Sequence, residues 1–488
     1  MARFESDAMN SEMEMDELYY DREDLGDAFE EEEEDLHAEA ESDDDDSMFE
    51  DEVPSSPRRD LYARSARSEE TFGDEDDEFP IEEDDDEDDE DDDEDYGAQP
   101  AHREESGVVP PNKPRRRCDD LKATVEENFS TESAPTVSDF KVIRVIGKGS
   151  FGKVFLVRQR NTKMIYAMKV LKKDNIVKRN QVEHTKTEWS VLGYVRHPFV
   201  VGLRSAFQTA EKLYFVLDYC AGGELFCHLQ KLGKFSEKRA RFYTAELTLA
   251  LEHVHSLGVV YRDLKPENVL LDARGHVRLT DFGLSKERVT HYQKGASSFC
   301  GTPEYLAPEI LARRGHGRAV DWWSLGALLY EMLTGLPPFY SRDREQLFEG
   351  IKRGHLAYPR YVSVDAKSLL KSLLHREPAA RLGSGPTDAL EVKKHVFFKH
   401  INFDALIDGT VVPPYQPDVT GSLDTSQFDR EFTSLPIHSP PTHNASLAAT
   451  VTVSSSSSAS DTTTYREQTF AGFTYVSPSN IAVRSTGP

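Results

Sequence analysis

The sequence predicts an α+β body behind a long acidic arm, and three observations carry that expectation. At Phe140 an acidic, low-complexity run gives way to alternating apolar residues. Two strand-like runs then flank a glycine-rich turn, and a third strand, bearing a lysine, precedes a helical run.

The arm, residues 1–139, holds about 55 acidic and about 12 basic side chains, whereas the whole 488-residue chain has a formal charge of −30, so the remainder is net basic. Glu82–Asp95 is unbroken acid, and few large apolar residues lie between the charge runs. Such a segment cannot bury enough surface to offset the entropy of ordering, so 1–139 is expected to be mostly disordered. A second low-complexity stretch, rich in Ser and Thr at 440–464, is expected to be a flexible linker. No run of 18 apolar residues occurs, and no apolar stretch follows a positive patch at the N-terminus. Neither a membrane span nor a secretory signal is expected, which suits a cytoplasmic protein. Lys113-Pro-Arg-Arg-Arg117 is a short basic string that would suit nuclear import or a membrane-surface contact, although it lies among acids. Cys118, Cys220, Cys227 and Cys300 show no zinc-ligand spacing and are too few for a disulfide framework.

Phe140–Gly147 reads as a strand running into Gly147-Lys148-Gly149-Ser150-Phe151-Gly152, and Val154–Arg158 continues as a second strand. Glycines at this spacing let a backbone approach phosphates, and strand–loop–strand distinguishes the pattern from the strand–loop–helix of dinucleotide sites. In the next strand, Met164–Leu171, Lys169 sits among apolar residues, which is costly unless its charge is paired. It suits the α- and β-phosphates of ATP together with a glutamate on the following helix, where Glu188 stands.

Tyr261-Arg-Asp-Leu-Lys-Pro-Glu-Asn268 has the pattern of a phosphoryl-transfer loop. Asp263 would accept a hydroxyl proton, Lys265 would neutralise charge on the transferring group, and Asn268 would hold one Mg²⁺. Asp281-Phe-Gly283, after a strand, would place Asp281 on a second Mg²⁺, and Ala307-Pro-Glu309 closes the segment. The order and spacing make coincidence negligible. Ser298 lies in the intervening loop, and Arg262 and His184 are the basic groups that a phosphate there would pair with.

These residues, with Gly222-Gly-Glu-Leu-Phe226, Gly335-Leu-Pro-Pro-Phe339 and His395-Val-Phe-Phe398, resemble the AGC family of serine/threonine protein kinases. The similarity is strongest to the serum- and glucocorticoid-regulated kinases, with ribosomal-protein kinases and protein kinase B as near relatives. It implies a two-lobed fold: antiparallel strands plus a helix C at about 140–216, and a mainly helical lobe at about 221–398. The catalytic domain would be 140–398 and an AGC tail 399–478, with a disordered end at 479–488. Gly301-Thr302-Pro303 together with Lys265 resembles serine/threonine rather than tyrosine kinases, a threonine bonding the aspartate and lysine.

Carried over by position, the resemblance implies that Asp218–Cys220 form the hinge, that Leu217 is the gatekeeper, and that Val154, Ala167 and Leu270 enclose the adenine. Glu224, Glu267 and Glu331 match positions that bind substrate arginines, with Glu224 also beside the nucleotide. Protein substrates would then carry Arg-x-x-Ser/Thr or Arg-x-Arg-x-x-Ser/Thr. In the tail, Ser439 resembles a turn-motif phosphosite. Phe470-Ala-Gly-Phe473-Thr474 resembles a hydrophobic motif with Thr474 the regulated residue, and Lys173, Val177, Gln208 and Leu213 would form its pocket. A phosphoinositide-dependent kinase and a target-of-rapamycin complex are the implied upstream partners. No nucleic acid is expected, and a monomer is. The alternative from another class is a pseudokinase scaffold, against which intact Lys169, Glu188, Asp263, Asn268 and Asp281 weigh.

Overall fold

A computed structural model of the protein describes residues 135–149, 151–289, 300–437 and 469–477. The residues read as phosphorylated or phosphate-binding at Ser150, Ser298 and Ser439 lie outside these, as do residues 1–134, the linker 440–464 and the end from 478.

The first layer is a six-stranded antiparallel sheet of order β1-β2-β3-β5-β4-β9. Its strands are β1 (Phe140–Gly149), β2 (Gly152–Gln159), β3 (Ile165–Lys172), β4 (Leu203–Gln208), β5 (Lys212–Asp218) and β9 (Tyr475–Val476). A 3-10 turn at Val137–Asp139, capped by Thr136, leads into β1, so the described fold starts just ahead of the boundary read from charge. Pairing continues out to Gly149 opposite Gly152, so the glycine run is a strand hairpin rather than an open loop. Gly152 has no alternative: a Cβ there would stand 1.8 Å from the Val170 carbonyl oxygen.

Helices α1 (Lys173–Lys178) and α2 (Val182–Tyr194) follow β3, and α2 is the helix expected to carry Glu188. Phe140, Val157, Met168, Phe207 and Tyr214 pack on one face of the sheet. The other face joins the main core through Leu171, Val191, Leu213 and Phe215.

The second layer is helical, as expected. It contains α3 (Leu225–Leu232), α4 (Glu237–Ser256), α5 (Pro308–Leu311), α6 (Ala319–Thr334), α7 (Arg344–Arg353), α8 (Val364–Leu373), α9 (Ala389–Lys393) and α10 (Phe403–Ile407). Ser236, Asp343 and Ser363 cap α4, α7 and α8 by accepting from backbone amides of the first turn. Helix α6 is buried along nearly its whole length around Trp322 and Trp323. That makes it the axis on which the other helices pack. A small sheet, β6 (Gly223–Glu224), β7 (Val269–Leu271) and β8 (Val277–Leu279), sets the motif-bearing loops at one end of this layer.

Beyond α10 the chain runs on to a short helix, α11 (Arg430–Thr433), packed on β1. Tyr219, just after β5, stacks on Phe428 with 5.8 Å between ring centroids, and its hydroxyl donates to the Asp424 carbonyl. Arg144 of β1 donates to the Thr425 hydroxyl at 2.9 Å. The tail therefore crosses the junction between the two layers.

Candidate active site

Lys169 and Glu188 meet as the buried-charge argument requires. Lys169 Nζ donates to both Glu188 carboxylate oxygens at 2.7 and 2.9 Å, and Asp281 Oδ1 is 4.0 Å from the same Nζ. Burial works against the ammonium, yet Asp281 and Glu188 hold the Lys169 pKa above the ordinary lysine value. The Asp281 carboxyl is in turn held below its ordinary range, chiefly by Lys169.

The second cluster forms around Asp263. Lys265 Nζ lies 3.4 Å from Asp263 Oδ2 and donates to the Thr302 hydroxyl at 2.9 Å, while that hydroxyl faces Asp263 Oδ1 at 3.3 Å. Asn268 Nδ2 donates to Asp263 Oδ2 at 2.7 Å and to its carbonyl at 2.8 Å. Burial pushes the Asp263 carboxyl above the ordinary aspartate range, and Lys265 pulls it part of the way back. The loop is fixed from beneath: the amides of Tyr261 and Arg262 donate to Asp321 of α6 at 2.8 and 2.7 Å.

The residues read as enclosing a base come from three adjacent strands and one loop strand. Val154 pairs with Lys169 across β2–β3, Ala167 pairs with Leu217 across β3–β5, and Leu270 lies on β7. Cys220 is buried, whereas the Asp218 side chain is taken up by Arg204 and the Gly202 amide, and the Asp218 amide donates to the Gly202 carbonyl.

Glu224, Glu267 and Asp429 form an acidic group at one rim. Burial, with the charges of Glu267 and Asp429, raises the Glu224 pKa to about 7. Glu267 Oε2 is buried without a hydrogen-bond partner among the described residues. Asp429, from the tail, was not foreseen from the sequence. Glu331 stands apart: it is 2% exposed and accepts from the Tyr305 hydroxyl.

Arg262, read as a phosphate partner, is largely buried, its guanidinium donating to the Leu284 and Ser285 carbonyls, and its charge depresses the pKa of nearby His184 after burial has done so.

The expected hydrophobic-motif pocket is filled. Phe470 and Phe473 are 2% and 4% exposed. Lys173 sits 5.6 Å from the Phe470 ring centre and donates to Gln208, which donates to the Phe470 carbonyl at 2.8 Å. Phe473 packs on Phe215 and stacks on Trp189 of α2, and Leu213 and Val177 belong to the surrounding core. Tyr475 and Val476 then pair with Ala206 and Ser205 as β9, and Arg196 donates to the Tyr475 hydroxyl. The apolar spacing announced the two rings, but a two-residue strand carries no periodic signal.

The protein kinase domain model matches residues 140–398, and the protein kinase C terminal domain model matches 419–475. The chain belongs to the protein kinase family. It is 53% identical over 297 residues to the RAC family serine/threonine-protein kinase homolog of Dictyostelium discoideum, covering 61% of this chain and 66% of that one. Human serine/threonine-protein kinase Sgk2 is 52% identical over 340 residues, 69% and 89% of the two chains, and human RAC-beta serine/threonine-protein kinase is 50% identical over 315, 64% and 65%. The match therefore spans about two thirds of the RAC relatives' length. These relatives and the two domains put the kinase among AGC serine/threonine kinases of the Sgk and RAC type. Among the described residues, no helix is long and apolar enough to cross a membrane.

Proposed function

We propose that the kinase transfers the γ-phosphate of Mg-ATP to serine or threonine hydroxyls that follow arginines. The observation that carries this reading is the pairing of Lys169 with Glu188 within 4.0 Å of Asp281, beside a complete Asp263–Lys265–Thr302–Asn268 network. The donor set fits a hard cation next to phosphates. Asp281 is 49% exposed at its side chain, and Asn268, with its nitrogen committed to Asp263, has its oxygen to offer. Asp281 and Asn268 would hold Mg²⁺, and Lys169 would hold phosphate oxygens. When bound, Mg-ATP supplies an activated phosphoryl group whose developing charge the cation offsets.

The chain's own groups do the rest. Asp263 orients the incoming hydroxyl and accepts its proton, and its raised pKa brings it nearer to that task at neutral pH. Lys265 balances charge beside it, and Thr302 fixes both. Glu224, with the free Oε2 of Glu267 and tail-borne Asp429, offers a guanidinium the carboxylates that such a cation needs once desolvated. Phosphate on Ser298 and Thr474, added by a phosphoinositide-dependent kinase and a target-of-rapamycin complex, would regulate the enzyme.

An arrayed-peptide assay of the purified chain with Mg-ATP tests the reading. Labelling should require Ser or Thr and fall when upstream arginines are replaced. Equal labelling of peptides without arginine would remove the substrate assignment, and no labelling beyond an Asp263→Asn control would remove the activity.

A further inference from the structure

Ser190 and Tyr194 lie one turn apart on α2, so their side chains point the same way, and Ser190 stands about 200° round the helix from Glu188. Both hydroxyls donate to a single oxygen, Glu287 Oε1, at 3.0 and 2.9 Å. Glu287 follows Lys286, whose backbone exchanges two 2.9 Å hydrogen bonds with Val260, immediately ahead of the Tyr261–Asn268 loop. One carboxylate thus joins the helix that carries Glu188 to the frame that carries Asp263. A cavity of about 290 Å³, lined by Glu183, Lys186, Thr187, Ser190, Glu287 and Phe473 among others, borders the contact.

We propose that Glu287 is a positioning residue for phosphoryl transfer, holding α2 through Ser190 and Tyr194 so that Glu188 stays against Lys169. The inference rests on reading the chain as an active kinase. A 13-residue helix is marginal by itself, so tertiary contacts decide where it sits. Trp189 anchors it to the tail through Phe473, and Glu287 anchors it to the segment that follows Asp281. The second anchor needs no tail. Hydroxyl-to-carboxylate bonds in a half-buried setting are charge-assisted and stronger than neutral ones.

The test uses the full chain in four forms besides wild type: Glu287→Ala, Glu287→Gln, Ser190→Ala with Tyr194→Phe, and the triple change of Glu287→Ala with both hydroxyl deletions. Two readouts are taken: kcat with peptide KM, and amide hydrogen exchange over residues 182–194. Glu287→Ala and the hydroxyl-deleted form should each lose about tenfold in kcat, the scale of one charge-assisted bond, with peptide KM nearly unchanged and exchange in α2 faster. Glu287→Gln, which keeps an acceptor oxygen, should recover most of the loss, and the triple change should be no worse than Glu287→Ala. Multiplying losses in the triple change, or unchanged exchange in the hydroxyl-deleted form, would overturn the proposal. The hydroxyl deletions remove no carbon, so that form decides the matter even if Glu287→Ala fails to fold. If wild type transfers no phosphate, the kinase reading fails, and exchange still decides whether Glu287 positions α2.

Discussion

Asp263 is 8% exposed and surrounded by donors that only an ionised carboxylate can use fully. Replacing it with Asn keeps the shape and removes the proton acceptor, so kcat should fall about 10²- to 10⁴-fold while ATP binding persists. Single-turnover phosphorylation beside a nucleotide-binding measurement checks both halves, and an unchanged rate would refute the assignment. Glu224 gives a pH signature. With its pKa at about 7 it becomes charged as pH rises through neutrality, so kcat/KM for an arginine peptide should climb from pH 6 to 8 more steeply than for the same peptide with Arg→Ala. Parallel profiles for the two peptides would exclude Glu224 as the arginine carboxylate. Lys169, Glu188, Asp263, Asn268, Asp281 and Thr302 were legible in the sequence because each stands in a dense local pattern. Asp429 and Glu287 were not, since each is one acid among many and acquires meaning only from partners far along the chain.

Helices α4 and α6 meet at a buried charge relay that the sequence hid for the same reason. His255 of α4 lies between Asp321 of α6, at 2.8 Å, and Asp388, at 3.2 Å, and Trp322 also donates to Asp388. Burial alone would depress the His255 pKa, but Asp388 and Asp321 overcome it and raise it from 6.5 to about 9. The folded state therefore holds this proton more tightly than the unfolded state. Its contribution to stability is fully present below about 6.5 and is lost as pH rises through about 9. Asp388→Asn keeps the side chain's size and removes one charge, so the thermal midpoint should fall less steeply between pH 6.5 and 9 than in wild type. Identical slopes would show that His255 is not the group responsible. Strands and helices with clear alternation or helical spacing, such as β1, β3 and α2, were legible to within a few residues. The pairing of Gly149 with Gly152 and the two-residue β9 depend on partners in the sheet, which no local pattern records.

At the scale of the molecule the tail works as a strap. It stacks Phe428 on Tyr219 beside the cleft, then lays Phe470 and Phe473 against α1, α2 and β5 and closes the sheet with β9. Burying the two rings is worth about 3–6 kcal/mol in total. Ring burial alone would therefore hold a separate peptide no more tightly than roughly 40 µM, since association also costs freedom of motion. Attached to the chain, the same segment is present at an effective concentration on the order of millimolar, so covalent connection is what keeps the site filled. A chain ending at Gln468 should accordingly lose kcat and show faster exchange in α2, because Trp189 loses its stacking partner while the contact to Glu287 remains. Adding a peptide of residues 466–478 should restore kcat, with half-maximal effect above roughly 40 µM, and the same peptide with Phe473→Ala should need roughly tenfold more or fail, since one ring's burial is lost. If the shortened chain keeps its full kcat, the strap does not act through α2, and the position of Glu188 must be set by the remaining contacts of that helix, the Lys169 pair, Glu287 and the core packing of Val191 and Leu192 among them.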